Sequence, residues 1–200
     1  MNLDVEKIKK DLIDLSGTKF ISKHILERIP YIFNNDADSY LNWRQNLSIQ
    51  LKIDPHDIFI TGSASLGISL NPNKNFKNFN QSSDIDISII APHYFEVAWH
   101  DLLFTNIKTL SDIMKTALED HRQRLVFWGT IATDRILPLL SFGGEWNKII
   151  TKYKKIQPFA NHDINFRIYK NMSAVRNYIS LSVSKCKSLL LEVPKNEKLS

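Results

Sequence analysis

The chain has one cysteine, Cys186, among 200 residues. An intrachain disulfide is therefore excluded, and a reducing compartment, the cytoplasm, is the expected home. Cys186 lies in an apolar C-terminal run and reads as core, not as a reactive thiol. No apolar run reaches the roughly 18 residues of a membrane span. The start, Met1-Asn2-Leu3-Asp4-Val5-Glu6, is charged and lacks the apolar stretch of a secretory leader. The six histidines do not cluster: His93, His100 and His121 lack His-x-x-x-His spacing, which argues against a zinc site. There is no Gly-x-x-x-x-Gly-Lys phosphate loop, no Gly-x-Ser-x-Gly elbow and no internal repeat.

What is present fits a folded protein. Hydrophobic residues make up 43% and charged residues 24%, ordinary values for one domain with room for a helical extension. Eleven Phe, six Tyr and four Trp give the core bulk. The net charge of +5 suits a phosphate-bearing partner, although ordinary surface lysines produce the same balance.

Apolar spacing predicts an N-terminal helix through Val5, Ile8, Leu12 and Leu15, a second from about Ser22 to Pro30, and a third from Asp36 to Leu51. Residues 1–53 are thus expected to be helical and 54–92 to hold the motifs. Asp57-Ile58-Phe59-Ile60-Thr61 reads as a short strand, and Asp84 to Ile90 alternates like a half-buried one. Asn71 to Ser83 has loop chemistry. Residues 93–160 read as a mainly helical insertion, in which Trp99, Phe104, Phe127, Trp128 and Trp146 are expected to pack between helices. Residues 161–200 should hold a third strand, Asp163 to Tyr169, and a final helix, Ser173 to Leu191, with a serine cap and a stop before Pro194. Arg176 and Lys185 on that helix read as surface. The layout is α+β around a small sheet.

Residues two apart on a strand share a face, so Asp84 and Asp86 project together while Ile85, Ile87 and Ile89 point into a core. Adjacent like charges repel, and a cation between them relieves this. Such pairs suit Mg²⁺, which prefers oxygen ligands and keeps waters for a phosphate to replace. Upstream, Gly62-Ser63 closes the preceding strand. A glycine turn lets backbone N–H groups approach a phosphate, and Ser63 and Ser65 add hydroxyl donors.

Strand, Gly-Ser, short helix, loop, then Asp-Ile-Asp-Ile on a second strand resembles the DNA polymerase beta-like nucleotidyltransferase superfamily. The resemblance covers roughly Asp57 to Ile90, as Phe59-Ile60-Thr61-Gly62-Ser63 and Ser83-Asp84-Ile85-Asp86-Ile87. It implies a mixed sheet with a nucleoside triphosphate over it, phosphates held at Gly62, Ser63 and Ser65, and one or two Mg²⁺ (or Mn²⁺) ions on Asp84 and Asp86. It also implies transfer of a nucleoside monophosphate to a hydroxyl of a protein, RNA or nucleotide. Small bacterial-type members occur in antiviral defence and toxin–antitoxin systems, which suggests a partner protein.

Two departures stand out. Twenty residues separate Ser63 from Asp84, a long link whose Asn71 to Ser82 stretch edges the site. There Lys74 and Lys77 read as phosphate contacts or as solvated loop charges. The resemblance also implies a third carboxylate, from a later strand, that completes the metal site and helps activate the attacking hydroxyl; Asp163, at the start of the third strand, is the expected residue, and the triad is intact if the metal lies opposite it. If it lies opposite Asn165, the site has two acids and an amide. Asp134 and Glu145, in loop-like or helical context, are weaker substitutes. Arg167 shares the face of Asn165, where it either holds a triphosphate through its planar fork or neutralises the acids.

Overall fold

The structure is a computed structural model that describes residues 4–192. It is α+β: a four-stranded mixed sheet with helices on both faces. The strands are β1 (Ile58–Thr61), β2 (Ile85–Ile90), β3 (Thr130–Ala132) and β4 (Ile164–Tyr169), in the spatial order β1-β2-β4-β3. β2 and β4 are parallel, and the two outer strands run antiparallel to their neighbours.

Strand alternation gives the sheet two unlike faces. Ile58, Ile60, Ile85, Ile87, Ile89, Ile164, Phe166 and Ile168 form one, all buried. Against it pack α3 (Ala37–Leu51), α5 (Pro92–Phe104) and α7 (Gly143–Tyr153), through Trp43, Leu47, Phe95, Leu102 and Trp146. The other face is apolar at one end, where Phe59, Ile90 and Tyr169 meet α1 (Val5–Asp14), α2 (Gly17–Ile21) and α8 (Met172–Glu192). At its opposite end this face is polar: Thr61, Asp86, Asn165 and Arg167. That end, where β1 stops and β2 and β4 start, is where the sequence motifs meet.

Local rules account for most boundaries. Asp4, Ser16 and Asp36 accept backbone N–H bonds at the starts of α1, α2 and α3. The helix expected near Ser22 is α2 continued by a π turn, Ser22–Leu26. α8 is capped by Asn171, which accepts from the Ala174 N–H at 2.9 Å, and not by Ser173. Pro194 lies outside the described residues. Cys186 is buried as expected, its thiol donating to the Leu70 carbonyl. No described helix is long and apolar enough to cross a membrane.

Two parts of the 93–160 stretch differ from the helical expectation. β3 lies inside it, three residues long and so too short to show a period of two; Gly129, at φ +69°, turns the chain into it. Of the aromatics expected to pack, only Trp146 is buried; Phe104 and Phe127 are 71% and 84% exposed.

Phe166 is fully enclosed at the centre of the larger core, edge-on to Trp146 at 5.3 Å. Phe166→Ala should cost about 3–5 kcal/mol of stability, read as a lower urea midpoint at unchanged slope.

Candidate active site

β1 ends level with the second aspartate of β2: Thr61 pairs with Asp86. The next residue, Gly62, has φ +66°, and a Cβ there would stand 2.8 Å from Asp86 Oδ2. Glycine is required twice over, by the left-handed backbone and by the carboxylate lying against it. The chain then enters α4 (Gly62–Leu66), leaving Ser63 half-exposed. Ser65 is fully buried and its hydroxyl has no hydrogen-bond partner, so the phosphate contact expected of it is absent from the groove wall.

Gly62, Ser63, Asp84 and Asp86 line one groove of about 420 Å³. Its far wall is the Tyr178, Leu181, Ser182 and Lys185 face of α8, and its rim is the Asn71 to Lys74 segment. The long link between the motifs folds back as a hairpin: Ile68 bridges Asn78, Ser69 N–H donates to the Lys77 carbonyl, and Phe79 N–H donates to that of Gly67. The hairpin carries Lys74 to the groove but not Lys77. Lys185, read from the sequence as mere surface, lies on the same groove. The helical spacing of Tyr178, Leu181, Ser182 and Lys185 was the available signal.

Asp84 is exposed and Asp86 partly buried, and among the described residues neither forms an ion pair. Burial pushes the Asp86 carboxyl above the ordinary carboxylate range, with Asp84 and Asp134 adding to the rise. The charge of Arg167 and a hydrogen bond from Asn165 oppose it. Beneath the carboxylate, the Thr61 and Ser88 hydroxyls bond to each other at 3.1 Å.

Register shows which β4 residues stand beside the two acids. Asn165 stands opposite Asp86, so the sheet sets two acids and an amide side by side. Asp163 precedes β4, two residues before Asn165; its carbonyl accepts from Ile85 N–H at 2.8 Å, and its carboxylate is held by Lys154 Nζ at 2.7 Å. Asp163 lines a second groove, with Asp84, Asp134, Asn147, Lys154 and Asn165. Asp134, set aside as loop-like, follows the end of β3 at this same edge. Arg167 lies beneath the site: its guanidinium stacks on Tyr178 at 4.5 Å, its Nη1 is buried without a partner, and it lines neither groove. That position favours neutralising Asp86 over gripping a triphosphate.

The donor set fits a divalent cation. The carboxylates of Asp84 and Asp86 and the amide oxygen of Asn165 are hard oxygen donors, and Mg²⁺ needs only one or two carboxylates when waters and phosphate complete its shell. Among the described residues no group of three or more His, Cys, Asp or Glu side chains converges as a metal cage.

No family model, no curated protein and no solved structure matches this chain.

Two outcomes follow from the packing of Asp86. Gly62→Ala should cost about 1–3 kcal/mol through left-handed strain, with Asp86 displaced. Asp86 titrates near 3.8 when unfolded and higher when folded, so the fold loses stability as pH rises through the folded value and loses none below 3.8. Asp86→Asn should therefore melt above wild type at neutral pH without divalent ions and converge with it in acid. A gap independent of pH would contradict the assignment.

Proposed function

We propose that the chain is a divalent-metal-dependent nucleotidyltransferase. It moves a nucleoside monophosphate from a nucleoside triphosphate to a hydroxyl acceptor and releases pyrophosphate. The observation that carries this reading is the seating of unpaired Asp84 and Asp86 beside the Gly62-Ser63 turn, at the base of a groove walled by Lys74 and Lys185.

Each residue has a part that follows from its place. The turn at Gly62 brings backbone to the groove floor without side-chain bulk, and the Ser63 hydroxyl donates to a phosphate oxygen. Lys74 and Lys185 approach from the hairpin and from α8 and balance the negative charge of a triphosphate tail. The Tyr178 ring and Leu181 offer an apolar surface for a base or sugar. Asp84, Asp86 and the Asn165 amide would hold Mg²⁺, or Mn²⁺ in its place. When bound, the ion supplies charge neutralisation at the transferring phosphate and the departing pyrophosphate.

Asn165 opposite Asp86 favours a second reading, in which the same groove binds a nucleotide without turnover. Exposed Trp99, Leu103, Phe104 and Phe127 on α5 and the turn before β3 support a partner protein as well.

With labelled triphosphates and Mg²⁺, wild type should release pyrophosphate, and Asp84→Ala or Asp86→Ala should lower the rate about a thousandfold or more. Equal rates in all three would remove the enzyme reading. Mg²⁺-dependent triphosphate binding by calorimetry, with no product, would leave the binding module.

A further inference from the structure

A third groove, of about 570 Å³, lies between α3 and the end of α7 and is larger than either groove beside Asp84. α7 stands between it and the second groove: Asn147 and Ile150 line that one, and Lys152 and Tyr153 line this one. None of its residues lines the groove of Gly62 and Asp86.

The groove is preformed. Gln50 of α3 donates to the Tyr153 hydroxyl of α7 at 3.1 Å and ties its two walls together. At its floor Trp43 stacks on Phe159 at 5.3 Å and on Tyr40 at 5.8 Å. Trp43 is only 6% exposed, and its indole N–H has no hydrogen-bond partner, an uncommon state for an enclosed donor. The walls also keep apolar surface in water. Ile49 is 74% exposed and Ile156 43%, and both face this groove. Single exposed isoleucines are ordinary; two on one concave surface with an aromatic floor mark an interaction site.

Charge narrows the kind of partner. No aspartate or glutamate lines the groove, and the lining amides of Asn42 and Asn46 have no partner among the described residues. Lys148 and Lys152 are four apart on α7, and Lys155 follows in the turn that continues it. All three are exposed, and among the described residues none forms an ion pair. At 1.5 Å per residue they make a basic stripe roughly 10 Å long beside the groove. An apolar trough with one basic wall complements an amphipathic helix whose acids flank its apolar side. It suits a nucleic acid less well, because the floor rings are enclosed and stacked on one another, leaving no ring face for a base.

We propose that the groove between α3 and α7 docks an acidic amphipathic helix of a partner protein. Apolar side chains of that helix pack on Ile49 and Ile156, and its acids meet Lys148, Lys152 and Lys155. The inference does not depend on the nucleotidyltransferase reading.

The test uses the full chain and three labelled probes, read by fluorescence anisotropy. The first is a synthetic amphipathic peptide of about 18 residues, long enough to be helical, with leucines on one face and glutamates beside them. The second has lysine for each glutamate, and the third is a single-stranded oligouridylate. The glutamate peptide should bind about tenfold or more tightly than either other probe. Ile49→Asp should weaken it about tenfold or more, as should the combined change Lys148→Glu, Lys152→Glu and Lys155→Glu, with the melting temperature kept in both. The matched reversal Lys7→Glu, Lys10→Glu and Lys19→Glu, at exposed positions of α1 and α2, should leave binding within about twofold. Absence of binding, or binding untouched by Ile49→Asp or by the α7 reversal, overturns the proposal. So does an equal loss in the matched reversal, which would assign the effect to net charge. A lysine peptide that binds as well removes the acidic partner, and tighter binding of the oligouridylate makes the groove a nucleic-acid surface instead.

Discussion

Asp86 Oδ2 lies 2.8 Å from where a Cβ on Gly62 would be, and the organisation of the site depends on that close approach. The antiparallel register of β1 and β2 sets it by placing Thr61 across from Asp86, one residue before the chain turns. Because side chains alternate along a strand, a slip of one residue would exchange the isoleucines of the core with the aspartates of the site. The large apolar core therefore fixes the position of the carboxylates. Seven isoleucines of β1, β2 and β4 and the packed aromatic Phe166 favour this register.

The same constraint leaves one end of a sheet face polar and open. α8 and the N-terminal helices cover Phe59, Ile90 and Tyr169, where the face is apolar, and stop short of Asp86 and Asn165. A carboxylate held there is partly withdrawn from water and has no ion-pair partner of its own, so its charge is costly in the empty fold. Arg167 from below and Asn165 from the side meet part of that cost. A cation arriving with a polyphosphate would meet more, which links the energetics of the fold to its proposed chemistry. Two grooves share Asp84.

Much of this was legible in the sequence. Alternation located β1, β2 and β4 within a residue or two, and Asp84 and Asp86 fall on the face it assigned them. Gly62 is a turn residue with positive φ, as a strand ending in Gly-Ser requires. Other features were hidden for identifiable reasons. β3 is three residues long, below the length at which periodicity speaks. Lys185 lies on an ordinary amphipathic helix, and only the packing of α8 turns it toward the groove. Ser65 and Ser63 are alike in sequence, but the direction of α4 buries one and exposes the other.

By itself the sequence determined which residues share a strand face, because the alternation of side chains is a local property of the backbone. It also placed a glycine at the turn after β1 and located β1, β2 and β4. The pairing of strands was decided only by the tertiary structure. Register sets which residue of β4 stands beside Asp86, and that residue is Asn165. The tertiary structure also added β3 at the edge of β4, a strand the sequence does not announce. Such choices depend on contacts between segments far apart in the chain, where the fit of the whole core, and no local pattern, sets the alignment.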